Sequence, residues 1–182
     1  MKKALVFFLI VLFLPAIAFS AVDARIHFSE EISYSFYNRI WISPEENYFS
    51  VESVINNPNI TNELDLMFSK CFGVEFGIGF GYQSSIFDYN RFITIPKSVN
   101  GTVNGGFVLK VNNVRIALSA VLRSSFQMAR NNWVSQVGGM ADFSYCLNNG
   151  LTFIASYKYL YNYNMISSGV SFGVGYSFGG KK

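Results

Sequence analysis

Gly169 to Phe178 reads Gly-Val-Ser-Phe-Gly-Val-Gly-Tyr-Ser-Phe, a period of two in which every second residue is large and apolar and every residue between is Gly or Ser. Successive side chains of a strand point to opposite faces, so Val170, Phe172, Val174, Tyr176 and Phe178 share one greasy face. Gly169, Ser171, Gly173, Gly175 and Ser177 share the other. Ten residues at about 3.4 Å each, tilted by about 40°, rise roughly 26 Å, the height of the apolar band on an outer-membrane barrel. The segment predicts a lipid-facing closing strand. A soluble sheet would carry Lys, Glu and Thr on its second face, and this segment carries none of them there.

At the other end, Lys2 and Lys3 precede an unbroken apolar run from Ala4 to Leu14, followed by Pro15 and small residues at Ala16, Ala18, Ser20 and Ala21. That order is the signature of a secretory signal peptide over residues 1–20, with cleavage after Ser20 or as late as Ala24. A membrane-anchoring helix fits less well, because the run falls short of the roughly 20 residues needed to span and Pro15 interrupts it. The expected organisation is a signal peptide, one barrel domain over residues 21–178, and a short basic tail over residues 179–182. Lys and Arg total 14 against 11 acids. Two of those lysines belong to the signal, which leaves 12 against 11 and a nearly neutral chain without a basic face. Nucleic acid is not an expected partner.

Alternation elsewhere predicts seven further strands, an all-β chain, and no convincing 3.6-residue repeat competes with it after residue 25. They run over about 26–40 (Ile32, Tyr34 and Phe36 on one face), 61–68 (Leu64, Leu66, Phe68) and 73–85 (Val74, Phe76, Ile78, Phe80, Tyr82). Next come 101–111 and 114–124, followed by 134–147 and 151–161. A ten-stranded count is open if residues 48–54 pair within the first long connection. Three connections are tight. Asn112-Asn113 suits a type I′ hairpin and pairs Val111 with Val114; Asn148-Asn149-Gly150 pairs Leu147 with Leu151; Ser69-Lys70-Cys71 matches Phe68 to Phe72. The other connections are longer, with exposed loops expected at about residues 41–60 and 86–100.

With these features together, the chain resembles the small outer-membrane β-barrels of the OmpA and OmpX kind over essentially all of its length after the signal. The terminal GVSFGVGYSF is similar to the aromatic-ended segment by which such proteins are recognised, although here Phe178 is followed by Gly179, Gly180, Lys181 and Lys182. The resemblance implies an eight-stranded antiparallel up-and-down barrel in the outer membrane of a Gram-negative-type bacterium. It also implies outer-membrane lipid and the barrel-assembly machinery as partners. Trp41, Tyr82, Tyr89, Trp133, Tyr159, Tyr161 and Tyr163 fall at the loop ends, where an interfacial girdle sits.

The inward face of so narrow a barrel has to be filled. By parity it holds Glu63, Asp65, Glu75 and Asp142 against Lys110, Arg115, Arg123 and Lys158. Lys110 and Arg115 flank one turn on the same face and need an acid between them; Glu75 is the expected partner. Such a network plugs the barrel, with a gated ion path as the alternative. Gly77, Gly79, Gly81, Gly173 and Gly175 are expected to relieve crowding inside, the alternative being a small cavity for an apolar solute. They do not form a phosphate cradle, because no helix follows them.

Chemistry is sparse. The single His, His27, is expected as an ordinary rim residue near the periplasmic end, far from an outer-leaflet lipid substrate that a Ser–His enzyme would attack. No catalytic residue, cofactor or metal site is expected, given one His and no Cys-x-x-Cys. Cys71 and Cys146 are expected on strand pairs too far apart to bond. The resulting expectation is a non-enzymatic barrel with a structural or surface-interaction role through its long loops. A narrow channel for small or apolar solutes is the alternative, and a lipid-modifying enzyme is a more distant one.

Overall fold

The computed structural model describes residues 21–38, 49–88, 97–162 and 165–178. Eight strands follow one another: β1 (Ala21–Asn38), β2 (Phe49–Met67), β3 (Phe72–Asp88), β4 (Ser98–Val111), β5 (Val114–Gln127), β6 (Asn132–Cys146), β7 (Leu151–Asn162) and β8 (Met165–Phe178). Each pairs antiparallel with its neighbours, and β8 returns to β1, closing the barrel with no free edge. Closure matters in lipid, where an unpaired edge would leave backbone donors and acceptors without water.

The register fixes the barrel's shape. Stepping across paired residues from Asp65 passes through Glu75, Gly106, Ser119, Met140, Lys158, Gly169 and Ser33, and arrives back on β2 at Ile55. The displacement, 65 − 55 = 10 residues along one strand, is the shear. Spread over eight strands it corresponds to a tilt of about 40°, within the usual range for barrels.

The distribution of side chains is inverted relative to a soluble protein. Phe76, Ile78, Phe80, Phe107, Leu118, Val137, Phe153 and Phe172 stand outward, with Phe172 66% exposed. Apolar burial is confined to small inward patches such as Met67 with Val108 and Ala117, and Val121 with Met140 and Leu160. Polar and charged residues fill the inside. A continuous apolar belt of this kind is stable only against hydrocarbon, so the barrel spans a membrane through its strands. The closing strand follows its pattern throughout: Val170, Phe172, Val174, Tyr176 and Phe178 all face out. Glu30 is an exception in the belt, a carboxylate of outward parity beside Phe28 and Phe172.

Two sequence expectations are corrected. Exposed loops are expected at 41–60 and 86–100, but β2 begins at Phe49 and pairs with β1 from there, β3 runs to Asp88 and β4 begins at Ser98, so residues 49–60, 86–88 and 98–100 are strand. The same pairing removes the ten-stranded alternative. The alternation is masked there by a polar run, Asn56-Asn57-Pro58-Asn59, whose Asn57 and Asn59 are buried in the polar interior. The second correction concerns the Asn112-Asn113 turn. Only Asn112 adopts positive φ, at 54°, whereas type I′ needs it at both central positions; a single positive φ at the first is the pattern of type II′. The pairing of Val111 with Val114 is unaffected.

The other two tight turns form as expected. Gly150 has φ 92°, and the Leu147 amide donates to the Leu151 carbonyl at 2.7 Å. The Phe68 amide donates to the Phe72 carbonyl at 2.9 Å, and their rings lie 6.0 Å apart. Tyr82, Trp133, Tyr159 and Tyr161 are exposed on the outer surface. The signal segment at 1–20, Trp41, Tyr89, Tyr163 and the tail at 179–182 lie outside the described residues, as do the side chains of Tyr34 and Phe36.

Candidate functional site in the barrel lumen

The inward charges form two groups, each assembled by strands distant in sequence. In the group nearer the tight turns, Arg25 on β1 donates to Glu63 at 2.7 Å and to Asp65 at 3.3 Å. Arg115 on β5 donates to Asp65 from Nε at 3.0 Å and from Nη2 at 2.8 Å, and its Nη2 also bonds Glu75. Glu75 accepts in addition from Asn104 Nδ2 at 3.0 Å and from the Ser119 hydroxyl. Lys110 bonds Asp23 and lies 3.0 Å from Asp65. In the second group Glu31 on β1 accepts from Arg123 at 2.5 Å and from Lys158 at 3.0 Å. Asn57 approaches the same carboxylate at 3.5 Å and itself accepts from Asn100 at 2.8 Å.

All eight charged residues assigned to the lumen by parity lie on the inner wall, seven of them buried and Lys110 half-buried. Glu75 does take Arg115, but Lys110 is held by Asp23 and Asp65 instead. Asp23 and Arg25 precede the strand expected from residue 26, and Glu31, inward by the parity of Ile32, is missing from the charges that parity was used to count. With β1 starting at Ala21, the same parity puts all three inside.

Between the two groups the lumen narrows to a residual cavity of about 10 Å³, walled by His27, Thr61, Glu63, Asn104, Asp142 and Lys158 among others. That is barely the volume of one water. The glycines contribute to the closure by letting other groups in. A Cβ on Gly79 would lie 2.6 Å from the Thr102 hydroxyl oxygen, on Gly81 2.8 Å from Asn57 Oδ1, and on Gly173 2.5 Å from the Phe28 carbonyl oxygen. Gly77 and Gly175 are likewise crowded, by Asn104 and by Ile26.

No family model and no curated protein matches the sequence. Solved structures do match the fold. The outer membrane protein AlkL, determined by solid-state NMR in lipid bilayers, aligns with TM-score 0.52 and 11% identity, over 87% of this chain and 90% of that one. Ail, the attachment invasion locus protein of Yersinia pestis, in complex with a heparin analogue, aligns with TM-score 0.51 and 16% identity, over 86% of this chain and 99% of that one. The fold is that of the small outer-membrane barrels.

Within this outer-membrane barrel fold, the remaining chemical groups occupy defined places. His27 was expected at the rim; it is the seventh residue of β1, only 6% exposed, and points into the lumen. An inward imidazole is shielded by the wall from lipid on the outer surface. Cys71 is exposed and Cys146 half-buried beside their turns, and both thiols are free. At the turn end of the barrel the lumen opens into a wide mouth of about 850 Å³, with Asp23, Arg25, Lys110 and Arg115 in its wall. The mouth ends at the charged network.

Proposed function

We propose that the protein is an integral outer-membrane barrel, delivered by a cleaved signal peptide over residues 1–20, whose role is structural or surface-interactive. The connections β1–β2 and β3–β4 present its contact surface, and it is neither a pore nor an enzyme. The observation that carries the reading is the closure of the lumen. Two groups of ion pairs and a crowded ring of glycines and asparagines leave a void of about 10 Å³ between them. A barrel organised for solute passage would keep that section open and hydrated. His27 adds to the case, because a catalytic imidazole for lipid chemistry would have to reach the outer surface. The aromatic-ended β8 supports recognition by the barrel-assembly machinery, with Val170, Phe172, Val174, Tyr176 and Phe178 as the face presented.

The test is conductance. The refolded chain, free of the signal, is inserted into planar bilayers under an applied voltage. Absence of sustained current in the folded barrel supports the closed reading. A steady current that changes on Glu75→Ala would overturn it in favour of a narrow channel.

A further inference from the structure

Three carboxylates from three strands meet inside the wall. Glu63 on β2, Glu75 on β3 and Asp142 on β6 are all buried, and each brings an oxygen within 4.8 Å of the others. Glu63 is held by Arg25, and Glu75 by Arg115, Asn104 and Ser119. Asp142 differs from them: its Oδ2 is buried with no hydrogen-bond partner, and it makes no ion pair among the described residues. Buried carboxylates are ordinarily satisfied by donors or by a cation, and like charges at this range repel strongly in a medium of low dielectric.

A second group points to the same place. His27 is 6% exposed, its Nδ1 has no partner, and it shares with Glu63 and Asp142 the wall of the 10 Å³ void. The local charge leaves room for a positive guest. Across the two groups six acids, Asp23, Glu31, Glu63, Asp65, Glu75 and Asp142, face five bases, Arg25, Lys110, Arg115, Arg123 and Lys158, an excess of one negative charge. Lys158, the other cation at the void, is engaged with Glu31.

We propose that Glu63, Glu75 and Asp142, beside the void that His27 also lines, form an internal binding site for one divalent metal cation. The void of about 10 Å³ beside Glu63 and Asp142 is too small for a hydrated ion, so most ligands must come from the protein. That disfavours Mg²⁺, which gives up water reluctantly, and favours an ion content with carboxylate oxygens, such as Mn²⁺. The ion would tie β2, β3 and β6 together across the lumen and offset the mutual repulsion of the three carboxylates.

The barrel is refolded in detergent with and without Mn²⁺, freed of excess ion, and its retained metal is measured by atomic emission and electron paramagnetic resonance. The folded form is verified by its heat-dependent gel migration. A single retained Mn²⁺ per chain, lost by roughly 10-fold or more in Asp142→Asn and in Glu63→Gln while both still fold, is the expected result. Equal retention in wild type and both variants places the ion elsewhere and overturns the site. No retention overturns it too; an infrared band of a protonated carboxyl that disappears in Asp142→Asn would then assign a trapped proton. Asp142→Asn removes a repulsive charge, so its folding is not at risk from the substitution; Glu63→Gln provides the independent check.

Discussion

Arg115 grips Asp65 in a bidentate pair, Nε at 3.0 Å and Nη2 at 2.8 Å, between residues 50 positions apart in sequence and with Asp65 wholly buried. The same guanidinium serves Glu75, so one side chain on β5 compensates acids on both β2 and β3. Removing it takes from Glu75 its one cation among the described residues and leaves Asp65 to Arg25 and Lys110, and breaking a buried pair from one side costs about 3–5 kcal/mol. Arg115→Met is therefore expected to lower the denaturant-unfolding free energy of the bilayer-inserted barrel by that order. Adding Asp65→Asn and Glu75→Gln to the same chain should recover most of the loss. If the triple variant is as unstable as the single one, the packing of the Arg115 stem and not its charge is what matters.

The glycines offer a paired test of crowding. At Gly173 an added methyl would sit 2.5 Å from the Phe28 carbonyl oxygen and 2.6 Å from Ser29 Cβ, so backbone has to move; at Gly101 nothing lies within 4 Å. Overpacking of this kind costs typically 1–3 kcal/mol. Gly173→Ala should destabilise the barrel by about that amount. Gly101→Ala should be neutral to within about 0.5 kcal/mol, or slightly stabilising, because alanine loses less backbone entropy in a strand. Comparable losses for both would show that crowding at the β1–β8 seam is not what selects glycine.

The barrel was legible because its two faces obey opposite chemistries. Hydrocarbon outside demands Phe, Val and Ile at every second position, and a packed inner wall demands Gly, Ser and charge between them; β3 and β8 show this with almost no interruption. Legibility failed where the outer residue is not apolar. Glu30 in β1 and Pro58 in β2, which pair with one another across the strands, break the alternation and hid the first third of the inner wall. Parity also counts charges without pairing them. It supplied Asp142 as one acid among four, whereas its isolation depends on where Arg25 and Arg115 reach, and that is set by the shear of the barrel and not by any local spacing.

The extension of β2 gives a proteolytic prediction. Glu45 and Glu46 lie in the connection between β1 and β2, while Glu52 lies inside β2, whose neighbours Val51 and Ser53 pair with Phe36 and Ser35. A glutamate-specific protease acting on the refolded barrel in detergent should cut after Glu45 or Glu46 and spare Glu52, as mass spectrometry of the fragments would report. The uncut barrel should migrate as a compact form on a gel until boiled. Cleavage at Glu52 in that compact form would shorten β2 to the loop-bounded strand that its alternation alone suggests.

Phe172 tests the outer face. It is 66% exposed, on β8 between Ala155 of β7 and Glu30 of β1, and its outward neighbours Val170, Val174, Tyr176 and Phe178 are apolar or aromatic. On a lipid-facing wall an arginine must drag its charge towards the headgroups, at a cost of roughly 2–4 kcal/mol near the bilayer midplane and close to nothing at the interfaces. Phe172→Arg, in a chain that also carries Glu30→Gln so that no carboxylate pairs the new charge, is accordingly expected to lose stability by up to that amount in lipid bilayers. In a soluble barrel the same substitution would cover an exposed apolar patch with charge and improve solubility without a stability penalty. Unfolding titrations of the Glu30→Gln chain with and without Phe172→Arg in thin and thick bilayers separate the two. A loss that grows with hydrocarbon thickness follows from a lipid-facing Phe172, and an unchanged midpoint in both bilayers would remove the wall of β8 from the membrane.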